Sequence, residues 1–361
     1  MIRLLIVEDS ALMRKLLGQI FGAEPDFEIG FARDGDEALK IISNFRPDVV
    51  TLDVNMPRMN GLECLDRIML EHPCPVIMVS SLTQEGADET IAALEIGAVD
   101  FIAKPSGAIS LGIEELAPRL IEKVRIAASV RIRRSRRLTE RVRLTQAQPS
   151  ALIRVSKPRD SECRHVAEGR TSHGLVLIGT STGGPPALDA VLGRLPSGFE
   201  WPVVVAQHMP ASFTGALARR LDKICAMTVS EVTRPTRLEP GNIYIARGDA
   251  DVLIASRAGA LVAMAAPSDP QYRWHPSVDR LVHSAMKHVP AKALIGVLMT
   301  GMGNDGAAAM TDLRSAGGYT IAEAEETAVV WGMPGELVQR DGATEVKRLD
   351  EIGQHLLDRV C

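Results

Sequence analysis

Two α/β domains, each a doubly wound parallel sheet, are the fold class this sequence predicts. Three observations carry the prediction. Apolar runs rich in Val, Ile and Leu alternate with segments of helical period over residues 1–125, as in a parallel sheet covered on both faces. The alternation stops in a polar, Arg-rich stretch and resumes abruptly at Gly174. A length of 361 residues, with 46% hydrophobic and 24% charged residues, suits two soluble globular domains and a connector.

In the first part, residues 4–7, 49–52 and 76–79 read as buried strands, and 34–45 and 61–70 have helical period. Residues 86–96 read as a further helix, and 99–102 as a short last strand before Lys104-Pro105. Five βα units therefore fit within residues 1–125, an ordinary size for one domain. After Ile113 the pattern is helical. It becomes Arg-rich from Arg131, and residues 146–171 lose periodicity and contain Pro149 and Pro158, so 126–172 is expected to be a linker. The second domain, 173–361, opens on the apolar strand Gly174-Leu-Val-Leu-Ile-Gly-Thr, followed by a helix over 185–195 with prolines in its first turn. Residues 201–207 and 293–300 are further buried-strand candidates. The short runs 243–246, 252–255 and 261–265, separated by Arg-Gly-Asp and Arg-Ala-Gly, suggest a hairpin excursion.

The net charge of −4 hides three blocks: −11 for residues 1–118, +10 for 119–170 and −3 for the rest. The run Arg131-Ile-Arg-Arg-Ser-Arg-Arg reads as a solvated helix end. It has no interleaved aromatics, and with aromatic content of only 4%, no nucleic-acid partner is expected. Five cysteines, far apart and never in a C-x-x-C pair, suggest neither a disulfide framework nor a zinc site. No apolar run is long enough for a membrane span, and the N-terminus turns acidic at Glu8-Asp9, where a signal peptide would still be apolar. A cytoplasmic location is expected, with membrane association only through other proteins.

Strand one ends in Glu8-Asp9 and strand three in Asp53, so a doubly wound sheet would bring three carboxylates to its carboxyl edge. Such a cluster is costly unless a hard cation neutralises it, and Mg²⁺ favours carboxylate, water and phosphate oxygens. Ser80 ends strand four and Lys104 follows strand five. Carboxylates, hydroxyl and ammonium together form a phosphoryl-transfer site in which one Asp can be the acceptor nucleophile. Through Val7-Glu8-Asp9-Ser10, Leu52-Asp53-Val54-Asn55-Met56-Pro57, Ser80 and Lys104-Pro105, this part resembles the receiver domain of bacterial response regulators. The resemblance implies phosphorylation of Asp53 by a histidine kinase, Mg²⁺ held by Glu8, Asp9 and Asp53, and a switch involving Ser80, Phe101 and Lys104. Glu8 departs from the Asp of many members.

In the second domain, Thr180-Ser181-Thr182-Gly183-Gly184 places Ser181 on a strand-to-helix turn, where a nucleophile should sit. Two other strands deliver His208 and the segment Gly301-Met302-Gly303-Asn304-Asp305-Gly306 to the same edge. Serine needs a base to take its proton and a carboxylate to orient that base, so Ser181, His208 and Asp305 form a candidate triad. His275, His283 and His288 are weaker candidates. The same glycine-rich segment matches G-x-G-x-x-G, with Glu323 twenty residues after Gly303, so a receiver-controlled NAD-dependent oxidoreductase is a competing reading. Its late position in the domain speaks against it.

The motifs Ile178-Gly-Thr-Ser-Thr-Gly-Gly, Gln207-His-Met-Pro and Leu298-Met-Thr-Gly-Met-Gly-Asn-Asp-Gly-Ala decide between them. Through them, residues 174–345 resemble the catalytic domain of the chemotaxis response-regulator protein-glutamate methylesterases. That resemblance implies hydrolysis of glutamate methyl esters on chemoreceptor cytoplasmic helices, and deamidation of selected glutamines. Ser181, His208 and Asp305 would be the triad, with the oxyanion held near Thr182 or Met302 and no cofactor in the ester chemistry. It further implies a chemotaxis histidine kinase as partner and a receiver that covers the catalytic cleft until Asp53 is phosphorylated. A domain that has lost activity and only docks a partner is the remaining alternative, against which Ser181, His208 and Asp305 all stand intact.

Overall fold

A computed structural model describes residues 1–81, 83–104, 109–130 and 174–361, apart from the side chains of 109–116. The Arg-rich run and the rest of the expected connector from 131 to 173 lie outside the described residues, as do Pro105 and its three successors. The chain divides into two units, Met1–Val155 and Ser156–Cys361.

The first unit runs β1 (Ile2–Val7), α1 (Ala11–Gly22), β2 (Phe27–Ala32), α2 (Gly35–Phe45), β3 (Val49–Asp53), α3 (Gly61–Glu71), β4 (Val76–Ser80), α4 (Gln84–Ile96), β5 (Asp100–Ala103) and α5 (Ile109–Ser129). Its parallel sheet has the order β2-β1-β3-β4-β5, and every residue of β3 and β4 is buried. Continuous apolar runs are the form a strand takes when helices cover both faces. The first four helices start in one way: Ser10, Asp34, Asn60 and Thr83 each accept a hydrogen bond from the amide three residues on. Each cap therefore fixes how the chain leaves the carboxyl edge. The expected boundary at residue 125 falls inside α5.

The second unit runs β6 (Leu175–Thr180), α6 (Gly184–Leu192), β7 (Val203–Gln207), α7 (Ala211–Ile224), β8 (Thr228–Val232), β9 (Thr236–Arg237), β10 (Asn242–Ala246), β11 (Ala250–Arg257) and β12 (Ala260–Pro267). There follow α8 (Val278–Met286), β13 (Leu294–Leu298), α9 (Ala307–Ser315), β14 (Tyr319–Glu323), α10 (Met333–Gln339), β15 (Glu345–Lys347) and α11 (Leu349–Val360). Seven strands form a parallel sheet in the order β15-β14-β13-β6-β7-β10-β8. The excursion is smaller than the sequence suggests. Residues 243–246 lie in β10, which pairs in parallel with β7 and β8, so only β11 and β12 make the hairpin, with β9 on its edge. The run Ile-Tyr-Ile-Ala is as apolar as any central strand, and a Gly-containing turn on its far side conceals that allegiance.

One core joins both layers, with Leu175, Leu177, Val204 and Leu298 from the sheet packed with Leu281, Val282, Met310 and Leu313 from the helices. Cys64, Cys74 and Cys225 are free. No helix among the described residues is long and apolar enough to cross a membrane.

Candidate active site and phosphoacceptor site

In the second unit β6 lies between β13 and β7, so the segments leaving these three strands are neighbours at the carboxyl edge. Ser181 follows β6, half-buried, in the turn before α6. His208 follows β7, and its amide donates to the Thr180 carbonyl at 3.0 Å. Gln207 binds the two segments together. Its side-chain oxygen accepts from Thr180 Oγ1 at 2.6 Å, and its Nε2 donates to the carbonyls of Ser181 at 2.9 Å and His208 at 3.1 Å.

Asp305 is 3% exposed and makes four hydrogen bonds. Oδ2 faces His208 Nε2 at 2.8 Å and accepts from Val278 N at 2.7 Å; Oδ1 accepts from Asp279 N at 3.0 Å and Ser277 Oγ at 3.1 Å. The carboxylate thus sits on the N-terminus of α8, where orphan amides and the helix dipole favour negative charge. Burial alone would raise this carboxyl, but the hydrogen bonds from His208 and from the two amides outweigh it and hold it below the usual range. Asp279, in the first turn of α8, returns the favour to α9 by accepting from Ala309 N at 2.8 Å. Burial, then the nearby Asp305, push Asp279 up to about 6 against that amide.

His208 Nδ1 is buried and has no hydrogen-bond partner, so the Ser181–His208 hydrogen bond of a completed triad is not formed in this state. Because Asp305 occupies Nε2, Nδ1 is the nitrogen left to meet the serine. Catalytic hydrogen bonds are commonly looser in a free enzyme than in its complexes. Thr182 is buried and its carbonyl accepts from Thr300 Oγ1 at 2.8 Å, while Met302 is half-buried on the facing loop.

The glycines of this loop are committed to protein neighbours. A Cβ on Gly301 would lie 2.3 Å from Met333 Sδ and 2.8 Å from Ser181 Cβ, and one on Gly303 would lie 2.5 Å from the Trp274 ring. Glu323 is fully buried and accepts from Thr300 N at 2.8 Å. The G-x-G-x-x-G spacing is therefore used for packing, and Glu323 is in no position to meet a ribose, which removes the basis of the dinucleotide reading.

His275 Nδ1 lies 3.0 Å from the buried Asp251, which also accepts from Ser277 N at 2.7 Å and Arg280 at 2.6 Å. Asp251 thereby anchors the segment leading into α8. His283 pairs with Asp312 on the surface at 3.0 Å, away from the triad. Sequence reasoning missed the positions of Gln207, Asp251, Trp274, Ser277 and Asp279. The pattern Ser277-Val-Asp-Arg before a helix was the one local signal, a cap with an acidic first turn.

In the first unit, Glu8 and Asp53 are 1% and 2% exposed. Lys104 Nζ lies 2.7 Å from Asp53 Oδ2 and 3.1 Å from both Glu8 oxygens. Ligand oxygens of Glu8, Asp9 and Asp53 lie within 4.8 Å of one another. Burial, then Asp53, push Glu8 up to about 7, with Lys104 opposing. Glu8 and Asp53 share the Lys104 ammonium, Asp9 beside them is exposed, and Glu8 Oε2 is buried with no hydrogen bond beyond that ion pair. An all-oxygen donor set with uncompensated charge fits a small divalent cation. Ser80 Oγ is buried and donates to the Gly86 carbonyl at 3.0 Å. Phe101 is buried in β5, with Lys123 Nζ 5.6 Å from its ring centre.

Fold and site together define a phosphoacceptor receiver domain joined to a serine-hydrolase domain. Residues 4–112 match the response regulator receiver domain and residues 176–356 the CheB methylesterase domain. Similar over nearly the whole chain is "protein-glutamate methylesterase/protein-glutamine glutaminase 2" of Rhodopseudomonas palustris, 55% identical over 99% of this chain and 98% of its own length. "Protein-glutamate methylesterase/protein-glutamine glutaminase 3" of Rhodospirillum rubrum is 51% identical over 99% of this chain and 95% of its own length. The crystal structure of the Thermotoga maritima CheB methylesterase catalytic domain is 37% identical with a TM-score of 0.51, covering 52% of this chain and 99% of that one. The chain belongs to the CheB methylesterase family.

Glu323 also makes a pH prediction. Its burial pushes the carboxyl up to about 7. With the folded value raised, the folded state holds a proton that the unfolded chain has lost, so stability falls as pH rises from about 4.5 to about 7 and is level above it. Glu323→Gln keeps the shape and removes the charge. Urea unfolding of this variant, compared with the parent at pH 5 and pH 8, should show its relative stability rising by roughly 2 to 3 kcal/mol across the interval. A pH-independent difference would mean that Glu323 does not titrate as described.

Proposed function

We propose that this protein hydrolyses glutamate methyl esters on the cytoplasmic helices of chemoreceptors, and deamidates selected glutamines, under control of phosphorylation at Asp53. The observation that carries the reading is the His208–Asp305 pair seated on the α8 N-terminus beside the Ser181 turn. The names of the relatives give both activities for those proteins.

Ser181 Oγ attacks the ester carbonyl while its proton passes to His208 Nδ1. Asp305 holds the ring through Nε2 and stabilises the imidazolium that forms. Backbone amides near Thr182 or Met302 hold the oxyanion. Collapse of the tetrahedral intermediate breaks the C–O bond, and methanol leaves with the proton from His208. Water, deprotonated by His208, then attacks the acyl-serine and releases the glutamate carboxylate and Ser181. With a glutamine side chain the same steps expel ammonia.

In the receiver, Asp53 is the oxygen nucleophile that takes a phosphoryl group from the phosphohistidine of a chemotaxis histidine kinase. Glu8, Asp9 and Asp53 would hold Mg²⁺, which supplies charge neutralisation at the phosphoryl oxygens when bound. Lys104 is already placed to follow the new charge, and Ser80 and Phe101 are the groups that would turn inward. The location consistent with these partners is the cytoplasm, at the membrane only through receptors.

Ser181→Ala removes the attacking oxygen and little else, so methanol release from methylated receptor membranes should stop while the unfolding midpoint stays unchanged. His208→Ala should be nearly as inactive, and the double variant little worse, because triad groups act as a unit. Near-normal release by Ser181→Ala would end the assignment.

Acetyl phosphate with Mg²⁺ should add one phosphate to the intact mass of the protein, and chelation of the metal should prevent it. A phosphate adduct on Asp53→Asn would place the acceptor elsewhere.

The receiver restrains the esterase in this reading. A fragment beginning near Thr171 should have higher basal esterase activity than the full chain, and a phosphodonor should raise only the full chain's rate. A coupling of about 1 to 3 kcal/mol corresponds to roughly 5- to 150-fold activation. Equal basal rates would mean that phosphorylation acts by recruitment instead.

A further inference from the structure

Trp274 stands beside His208 and the loop that leads into Asp305. Its indole is stacked on the His208 imidazole with ring centres 5.9 Å apart and the planes within 3° of parallel. The same ring fills the space above Gly303, where a Cβ would lie 2.5 Å from it, two residues before Asp305. Gly303 has φ of 83°, so the loop both bends and opens at the point where the indole enters. The neighbouring His275 is tied to Asp251, and Ser277 is tied to Asp251 and Asp305, so the backbone carrying Trp274 is anchored on its C-terminal side.

Asp305 holds the imidazole at one edge only. A ring bonded through a single nitrogen can still swing about its Cβ–Cγ bond, and Nδ1 carries no second hydrogen bond to stop it. A parallel aromatic plate removes that freedom because rotation drives the imidazole into it.

We propose that Trp274 is a positioning residue for His208: its indole fixes the plane of the imidazole so that Nδ1 is presented to Ser181. The proposal rests on the triad reading above. A misplacement of about 1 Å in such a group can cost about a hundredfold in rate.

The test is methanol release by the full-length protein, treated with acetyl phosphate, on methylated receptor membranes. Trp274→Leu should lower kcat by about 10- to 100-fold with KM within about twofold of the parent. Trp274→Phe restores a flat ring and should recover most of kcat. Three results would overturn the proposal: a Leu variant with the parent's kcat, a loss that falls on KM while kcat is retained, or a Phe variant no better than Leu at an equal unfolding midpoint. The second result would make Trp274 a receptor contact. Should the Leu variant fail to fold, Trp274→Met, which refills the space with a flexible chain, takes its place in the comparison with Phe. Ser181→Ala assayed alongside separates the two claims. If it stays active, the triad reading fails whatever Trp274 does; if it is inactive while Trp274→Leu keeps full kcat, only this proposal fails.

Discussion

A carboxylate that is almost wholly out of water must find its hydrogen bonds inside the protein, and Asp305 finds four. Three come from Ser277, Val278 and Asp279 at the start of α8 and one from His208. Much of the second unit follows from this constraint. The segment before α8 must run past the strand end that carries Asp305, which requires the anchor at Asp251. The loop bearing Asp305 must lie against α8, and Asp279 secures that register from the opposite direction by accepting from the start of α9. Two helix N-termini thus exchange carboxylates, each satisfying orphan amides of the other. Burial first, and then the nearby Asp305, raise the pKa of Asp279, which is the cost of placing two carboxylates together there.

The receiver is built on the opposite principle. Asp305 accepts four hydrogen bonds, and those donors favour its charged form, as suits a group that orients a base. Glu8 and Asp53 are as deeply buried but share one lysine, and a Glu8 oxygen has no hydrogen bond at all. Such a site is poorly satisfied as a static structure and well suited to accept a cation and then a phosphoryl group.

How much of this could be read from the sequence depended on the range over which each signal acts. Strands, most helices and the residues at strand ends were legible because apolar runs and their flanking caps are local. Ser181, His208 and Lys104 lie directly after such runs, Asp53 ends one, and Asp305 is on the loop that follows another. Gln207 has no role legible in its motif, because two of its three side-chain hydrogen bonds reach residues 26 and 27 positions away that no spacing rule connects. Trp274 and Asp251 were illegible for the same reason: their partners come from distant parts of the chain. The run 243–246 was assigned to a hairpin because adjacency in sequence suggests adjacency in the sheet, whereas it inserts between β7 and β8. The glycine pattern at 301–306 misled in another way. Spacing records that side chains are missing, and it does not record what fills the space.

Both units place their chemistry where the strand order reverses. In the first, β1 lies between β2 and β3, and Glu8 and Asp9 from β1 meet Asp53 from β3. In the second, the chain leaves β6 towards β7 and later returns to its other side with β13, so Ser181 from β6 meets the loop that carries Asp305. At such a point the helices following the two adjacent strands pack on opposite faces and leave a crevice between their first turns. A nucleophile there is reachable from solvent while its neighbours remain buried. The difference between the sites lies in what the crevice receives: a cation and a phosphoryl group need loose carboxylates, and an acyl group needs a serine with its base already held in place. Sheet topology supplies the location in both cases, and the satisfaction of a few buried polar atoms decides the chemistry.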